Sequence, residues 1–130
     1  MIKVKETLNS IKFASSGIQY LLKHEPNARI HLIATIIVIF ISIWVNLSSL
    51  EWVAILVAIC LVWTAELFNT AIETIFNLVE PAQNPVVKVG KDTAAGAVLV
   101  MAILSVLIGS IILIPAVIEK IFPWLLEIFL

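Results

Sequence analysis

The chain has 130 residues, of which 62% are hydrophobic and only 13% charged, and its mean hydropathy is +1.12. So few charges cannot clothe a water-facing surface, and lipid must act as the solvent. The same figures exclude intrinsic disorder, a net charge of −1 with eight Lys and Arg excludes a nucleic-acid binder, and one cysteine excludes a disulfide scaffold.

Residues 1–25 read as an amphipathic helix. Val4, Leu8, Ile11, Ile18 and Leu22 recur at three-to-four-residue spacing with Lys3, Lys5, Lys12 and Lys23 among them, which suits a helix lying on the inner leaflet. Gly17 and Pro26 are expected break points, so the chain should bend before a span that begins near Asn27. No secretory leader is expected, because the stretch before the first apolar run is polar or amphipathic and lacks a small-residue cleavage site. Met1 is therefore the expected start of the mature chain.

Three apolar regions follow, at 30–50, 52–79 and 93–118, each long enough for the roughly 20 residues that a spanning helix needs. The spacing predicts helices over about 30–45, 52–76 and 94–118 in one all-α membrane domain. Residues 119–130, with Pro123 and Trp124, read as an interfacial tail on the outer side. Seven of the eight basic residues precede the first span or lie between the second and third, leaving Lys120 alone in the tail. That bias predicts a cytoplasmic N-terminus and 77–92 loop, with Trp44, Trp52 and Trp124 near the outer interface.

The second span carries Glu66 and Glu73. A charge at mid-bilayer costs about 2.5 to 3.5 kcal/mol on insertion scales, so both are functional candidates. At 1.5 Å per residue Glu66 lies about 21 Å from Trp52 along the helix and Glu73 about 31 Å, in a hydrocarbon layer of about 30 Å. Glu73 thus falls near the inner boundary and Glu66 about two turns deeper. With Asn69 between them, the three share about 60° of helix surface. Glu25, Asn27, Arg29 and His31 fall at the entrance of the first span and Lys91 and Asp92 at that of the third, so the charges gather at one rim. Glu25, Glu73 and Asp92 meeting there would repel unless protonated or bridged by a cation such as a Mg²⁺ carrying nucleotide phosphates. Lys91 would meet phosphate as a point charge, and Glu66 would take a proton from a hydroxyl arriving from the lipid side.

The run Ala65-Glu66-Leu67-Phe68-Asn69-Thr70-Ala71-Ile72-Glu73, followed by Lys91-Asp92-Thr93-Ala94-Ala95-Gly96-Ala97-Val98-Leu99, resembles the signature of the small bacterial membrane-integral diacylglycerol kinase family, which includes undecaprenol kinases. The segment from Ser10 through Gly17 to Glu25-Pro26-Asn27-Ala28-Arg29-Ile30-His31 extends the likeness over about residues 8–110. The resemblance implies a homotrimer in a bacterial inner or plasma membrane, with active sites between subunits at the cytoplasmic boundary. It implies transfer of the γ-phosphoryl of MgATP to the hydroxyl of a membrane lipid. By motif position Glu66 is then the general base and Asn69 places the reacting groups. Glu25 and Glu73 hold Mg²⁺, and Lys91 and Asp92 contact ATP. Ser10 and Lys12 are weaker nucleotide contacts by the same likeness. Arg29-Ile30-His31 resembles the undecaprenol kinase branch, whereas Gly90 stands where the family commonly has Ala and the 80–85 loop departs from its pattern.

Plainer readings stay open beside these. Glu66 could be a protonated packing group, Glu25 and Arg29 a surface helix pair, and His31 an interfacial polar residue. Lys91 could be a topology determinant and Asp92 the N-cap of the third helix. The small residues Ala94, Ala95, Gly96 and Ala97 read as helix-packing positions, as does Trp63, and Cys60 as inert. A second function class is a small proton-coupled transporter with Glu66 as proton carrier. A transporter places its carboxylate near the midplane within reach of both sides, whereas these ionisable groups crowd one boundary.

Overall fold

The computed structural model describes the backbone of residues 4–80 and 84–129 and, apart from Lys5 and residues 124–129, their side chains. It is all-helical: α1 is Val4–His24, α2 Pro26–Val45, α3 Ser49–Val79 and α4 Pro85–Phe129. Helices α2, α3 and α4 are each long and apolar enough to cross a membrane. Lys3, loop residues 81–83 and the Trp124 side chain lie outside the described residues.

The break between α1 and α2 falls where proline requires it. Glu25 is extended (φ −101°, ψ 114°) and Pro26 opens α2, at the position where its missing N–H loses nothing. Gly17, by contrast, interrupts nothing, and α1 runs through it. Arg29 closes the joint: its Nε donates to the Leu22 carbonyl at 2.9 Å and its terminal nitrogen to that of Lys23 at 2.6 Å. One turn of α2 thus satisfies carbonyls that the end of α1 leaves without partners.

The α2–α3 turn is closed by its own backbone and side chains. Asn46 takes the left-handed conformation (φ 65°), and the N–H of Leu47 reaches the Ser42 carbonyl at 3.3 Å. Ser48 then caps α3 in a reciprocal box, its N–H donating to Glu51 Oε2 at 2.8 Å while its Oγ accepts from the Glu51 N–H at 3.5 Å. Trp44 and Trp52 flank this turn.

Helix α4 departs furthest from expectation. It starts at Pro85 rather than near Ala94, with the Asn84 side chain accepting from the Val86 N–H at 2.9 Å as N-cap. Asp92 is therefore two turns inside the helix and not its cap. At the other end Pro115 and Pro123 do not stop α4, and its backbone stays helical through 119–129. Its 45 residues measure about 68 Å, more than twice the hydrocarbon thickness.

In lipid, burial of apolar area does not drive helix association, and close packing with interhelical hydrogen bonds must do so. Helix α3 packs chiefly against α4, where Ala58, Val62, Ala94 and Val98 are buried and Ser105 Oγ donates to the Ala58 carbonyl at 2.9 Å. Helix α2 is held more loosely, through Trp63 Nε1 donating to Thr35 Oγ1 at 3.1 Å. A groove of about 520 Å³ with Ala34, Val38, Ala102 and Gly109 in its walls runs between α2 and the α3–α4 pair.

Candidate functional site

Ile55, Ala58, Val62, Glu66 and Thr70 are the buried residues of α3, and their three-to-four-residue intervals place them on one face. Glu66 thus interrupts an inward-facing apolar stripe with a carboxylate that is only 1% exposed. The residue facing it comes from α2. His31 Nε2 stands 3.3 Å from Glu66 Oε1, an oxygen otherwise sealed from solvent and without a hydrogen-bond partner among the described residues. His31 follows Arg29 by two residues, about half a turn further into α2, so the joint that anchors α1 also sets the height of this imidazole.

Glu25 occupies the N-cap of α2, yet its side chain makes no capping hydrogen bond. Its partner in the surface-pair reading, Arg29, is bound to the α1 carbonyls instead. A carboxylate without a capping task is a hard oxygen donor of the kind a divalent cation takes.

The other predicted residues are distributed around α3. Asn69 lines a separate groove of about 270 Å³ with Phe68, Ala94, Ala97 and Met101, between α3 and α4. Glu73 is half-buried one turn beyond it. Lys91 Nζ donates to Asn77 Oδ1, tying the first turns of α4 to the end of α3. Asp92 pairs with Lys88 at 2.8 Å on the exposed surface of its own helix. The backbone of Gly90 lies against the Phe76 ring, and a Cβ there would come within 2.5 Å of Phe76 Cζ. That contact accounts for glycine where the likeness suggested alanine.

Ser10 and Lys12 are exposed on α1, and the Ser10 hydroxyl donates to the Glu6 carbonyl of its own helix at 3.0 Å. Among the described residues of one chain, no group of three His, Cys, Asp or Glu forms a metal cluster. The meeting of Glu25, Glu73 and Asp92 expected at the rim is therefore not completed within a single chain. His31 and Glu66 come together, while Asp92 is paired on α4.

Sequence reasoning missed the His31–Glu66 contact and the Arg29 clamp. Both join residues on different helices, so periodicity could not reveal either. The turn-opening pair Asn84-Pro85 was a usable signal for the true start of α4.

Three helices able to span a membrane, with a buried carboxylate on the second facing a histidine of the first, describe an integral-membrane protein with ionisable groups inside its helix packing. Residues 12–113 match the family described as prokaryotic diacylglycerol kinase, and the chain belongs to that family. It is 38% identical over 106 residues to the undecaprenol kinase of Bacillus subtilis, covering 82% of this chain and 86% of that one. It is also 35% identical over 109 residues to the diacylglycerol kinase of Synechocystis sp., covering 83% of this chain but only 62% of the relative. The protein is accordingly a lipid kinase of a bacterial membrane, with a lipid substrate and ATP as phosphate donor. Family membership sets the transporter reading aside.

Proposed function

We propose that the protein transfers the γ-phosphoryl of MgATP to the hydroxyl of a membrane lipid alcohol, undecaprenol or diacylglycerol, at the cytoplasmic boundary. The observation that carries this reading is Glu66, a carboxylate sealed inside the helix packing of a lipid kinase yet not used to hold any backbone. Arg29-Ile30-His31, and the name of the Bacillus relative, favour undecaprenol.

In this reading Glu66 takes the hydroxyl proton as the lipid oxygen forms its bond to γ-phosphorus and the bond to the ADP oxygen breaks. Positioned proton transfer of this kind contributes about 10²–10⁴ in rate. Asn69 orients the reacting groups from the neighbouring face of α3. Glu25 and Glu73 would hold Mg²⁺, which supplies neutralisation of phosphate charge. Lys91 and Asp92, with Lys12 and Ser10 more weakly, contact ATP. The protein acts as a homotrimer with cytoplasmic N-termini, in which a neighbouring copy brings the α4 groups opposite Glu25 and Glu66.

Purified protein in lipid should move labelled phosphate from MgATP to undecaprenol, and less efficiently to diacylglycerol, when the two are assayed side by side. Failure with every lipid alcohol tried, while a control kinase works in the same vesicles, would reject the proposal.

A further inference from the structure

At the joint between α1 and α2, Arg29 is committed to the α1 carbonyls, whereas the buried Oε1 of Glu66 has no hydrogen-bond partner among the described residues and faces the His31 imidazole at 3.3 Å. The groove between α2, α3 and α4 is largely apolar, with Ile30, Ala34 and Val62 beside His31 and the hydroxyls of Thr35, Ser105 and Ser110 further along, and among the described residues His31 is its one titratable side chain. A glutamate has three rotatable side-chain bonds, and in a greasy wall nothing else fixes its carboxylate plane. We infer that His31 is the positioning residue of the catalytic base: from 3.3 Å its Nε2–H turns onto Glu66 Oε1 in the working enzyme and holds the carboxylate so that Oε2 faces the incoming lipid hydroxyl. This deepens the proposed kinase reading and rests on it.

The arrangement makes a directional demand. His31 needs only an N–H at the Nε2 position, because it neither receives the substrate proton nor passes one on. Glutamine places an amide nitrogen at nearly the same reach and cannot relay a proton, so it separates bracing from relay. Leucine fills similar volume and donates nothing. Removing the brace should leave nucleotide binding intact and reduce the chemical step, since displacing a reacting group by about 1 Å costs on the order of a hundredfold.

The test compares wild type, His31→Leu, His31→Gln, Glu66→Gln and the His31→Leu/Glu66→Gln double variant in undecaprenol-containing vesicles, each first checked for the wild-type oligomer by gel filtration. His31→Leu should lower kcat by about a hundredfold with the KM for MgATP unchanged, and His31→Gln should recover most of the loss. The double variant should be no slower than Glu66→Gln alone. In ¹⁵N-histidine-labelled protein the His31 Nε2 resonance should be that of a hydrogen-bonded donor and should move in Glu66→Gln, a readout independent of turnover. Wild-type kcat in His31→Leu, equal losses in the Leu and Gln variants, or an unmoved resonance would each overturn the bracing role. If wild type phosphorylates no lipid alcohol, the kinase reading itself fails, and the resonance still reports on the pair.

Discussion

The two polar sites along α3 use similar residues to opposite ends. At the α2–α3 turn, Glu51 is fully engaged with Ser48, and the pair completes the start of a helix. Deeper in the same helix, Glu66 is sealed from solvent, satisfies no backbone group and faces a histidine from another element. A polar side chain that holds backbone explains its own presence. A carboxylate buried without such a task is not explained by the fold alone, and the proposed base role would supply the reason.

The sharpest way to break this comparison is to neutralise Glu66. Glu66→Gln keeps shape and burial but cannot accept the proton, so turnover should fall by about 10²–10⁴ while ATP binding and thermal stability stay near wild type. Phosphotransfer and nucleotide-binding assays on the same preparation check this, and retained turnover would remove the base role. Glu73→Gln should act less severely, raising the Mg²⁺ concentration needed for half-maximal rate, and an unchanged metal titration would reject a ligand role. Ser48→Ala should do the reverse of Glu66→Gln: about 1 kcal/mol of stability is lost with the cap, read as a lower melting point in detergent, with turnover unaltered. The smallest effect belongs to Lys88→Ala, which breaks an exposed pair with Asp92 and should leave the melting point unmoved. A raised KM for ATP in that variant would support the proposed contact of Asp92 with nucleotide and make Lys88 its support.

Much of this was legible from composition. Charge-free runs located all three spans, because bilayer thickness dictates a minimum apolar length and the sequence supplies it three times. Helical geometry predicted one stripe for Glu66, Asn69 and Glu73, but Glu66 faces α2 while Asn69 lines the groove between α3 and α4. What periodicity missed was of two kinds. Helix α4 begins in a segment whose charges suggested loop, although Asn84-Pro85 carried a start signal, and it passes Pro115 and Pro123 because proline removes bonds without forbidding the helix when neighbours restore packing. The contacts of His31 with Glu66 and of Arg29 with the end of α1 are set by how helices lean on each other. No local pattern encodes them.

The clamp at Arg29 has a mechanical consequence. Because a guanidinium rooted in the first span grips the last carbonyls of the leaflet-lying helix, float and mast are one lever and not two independently solvated parts. Thinning the bilayer, which tilts the mast, must then swing the float, and Glu25, seated at their pivot, travels with both.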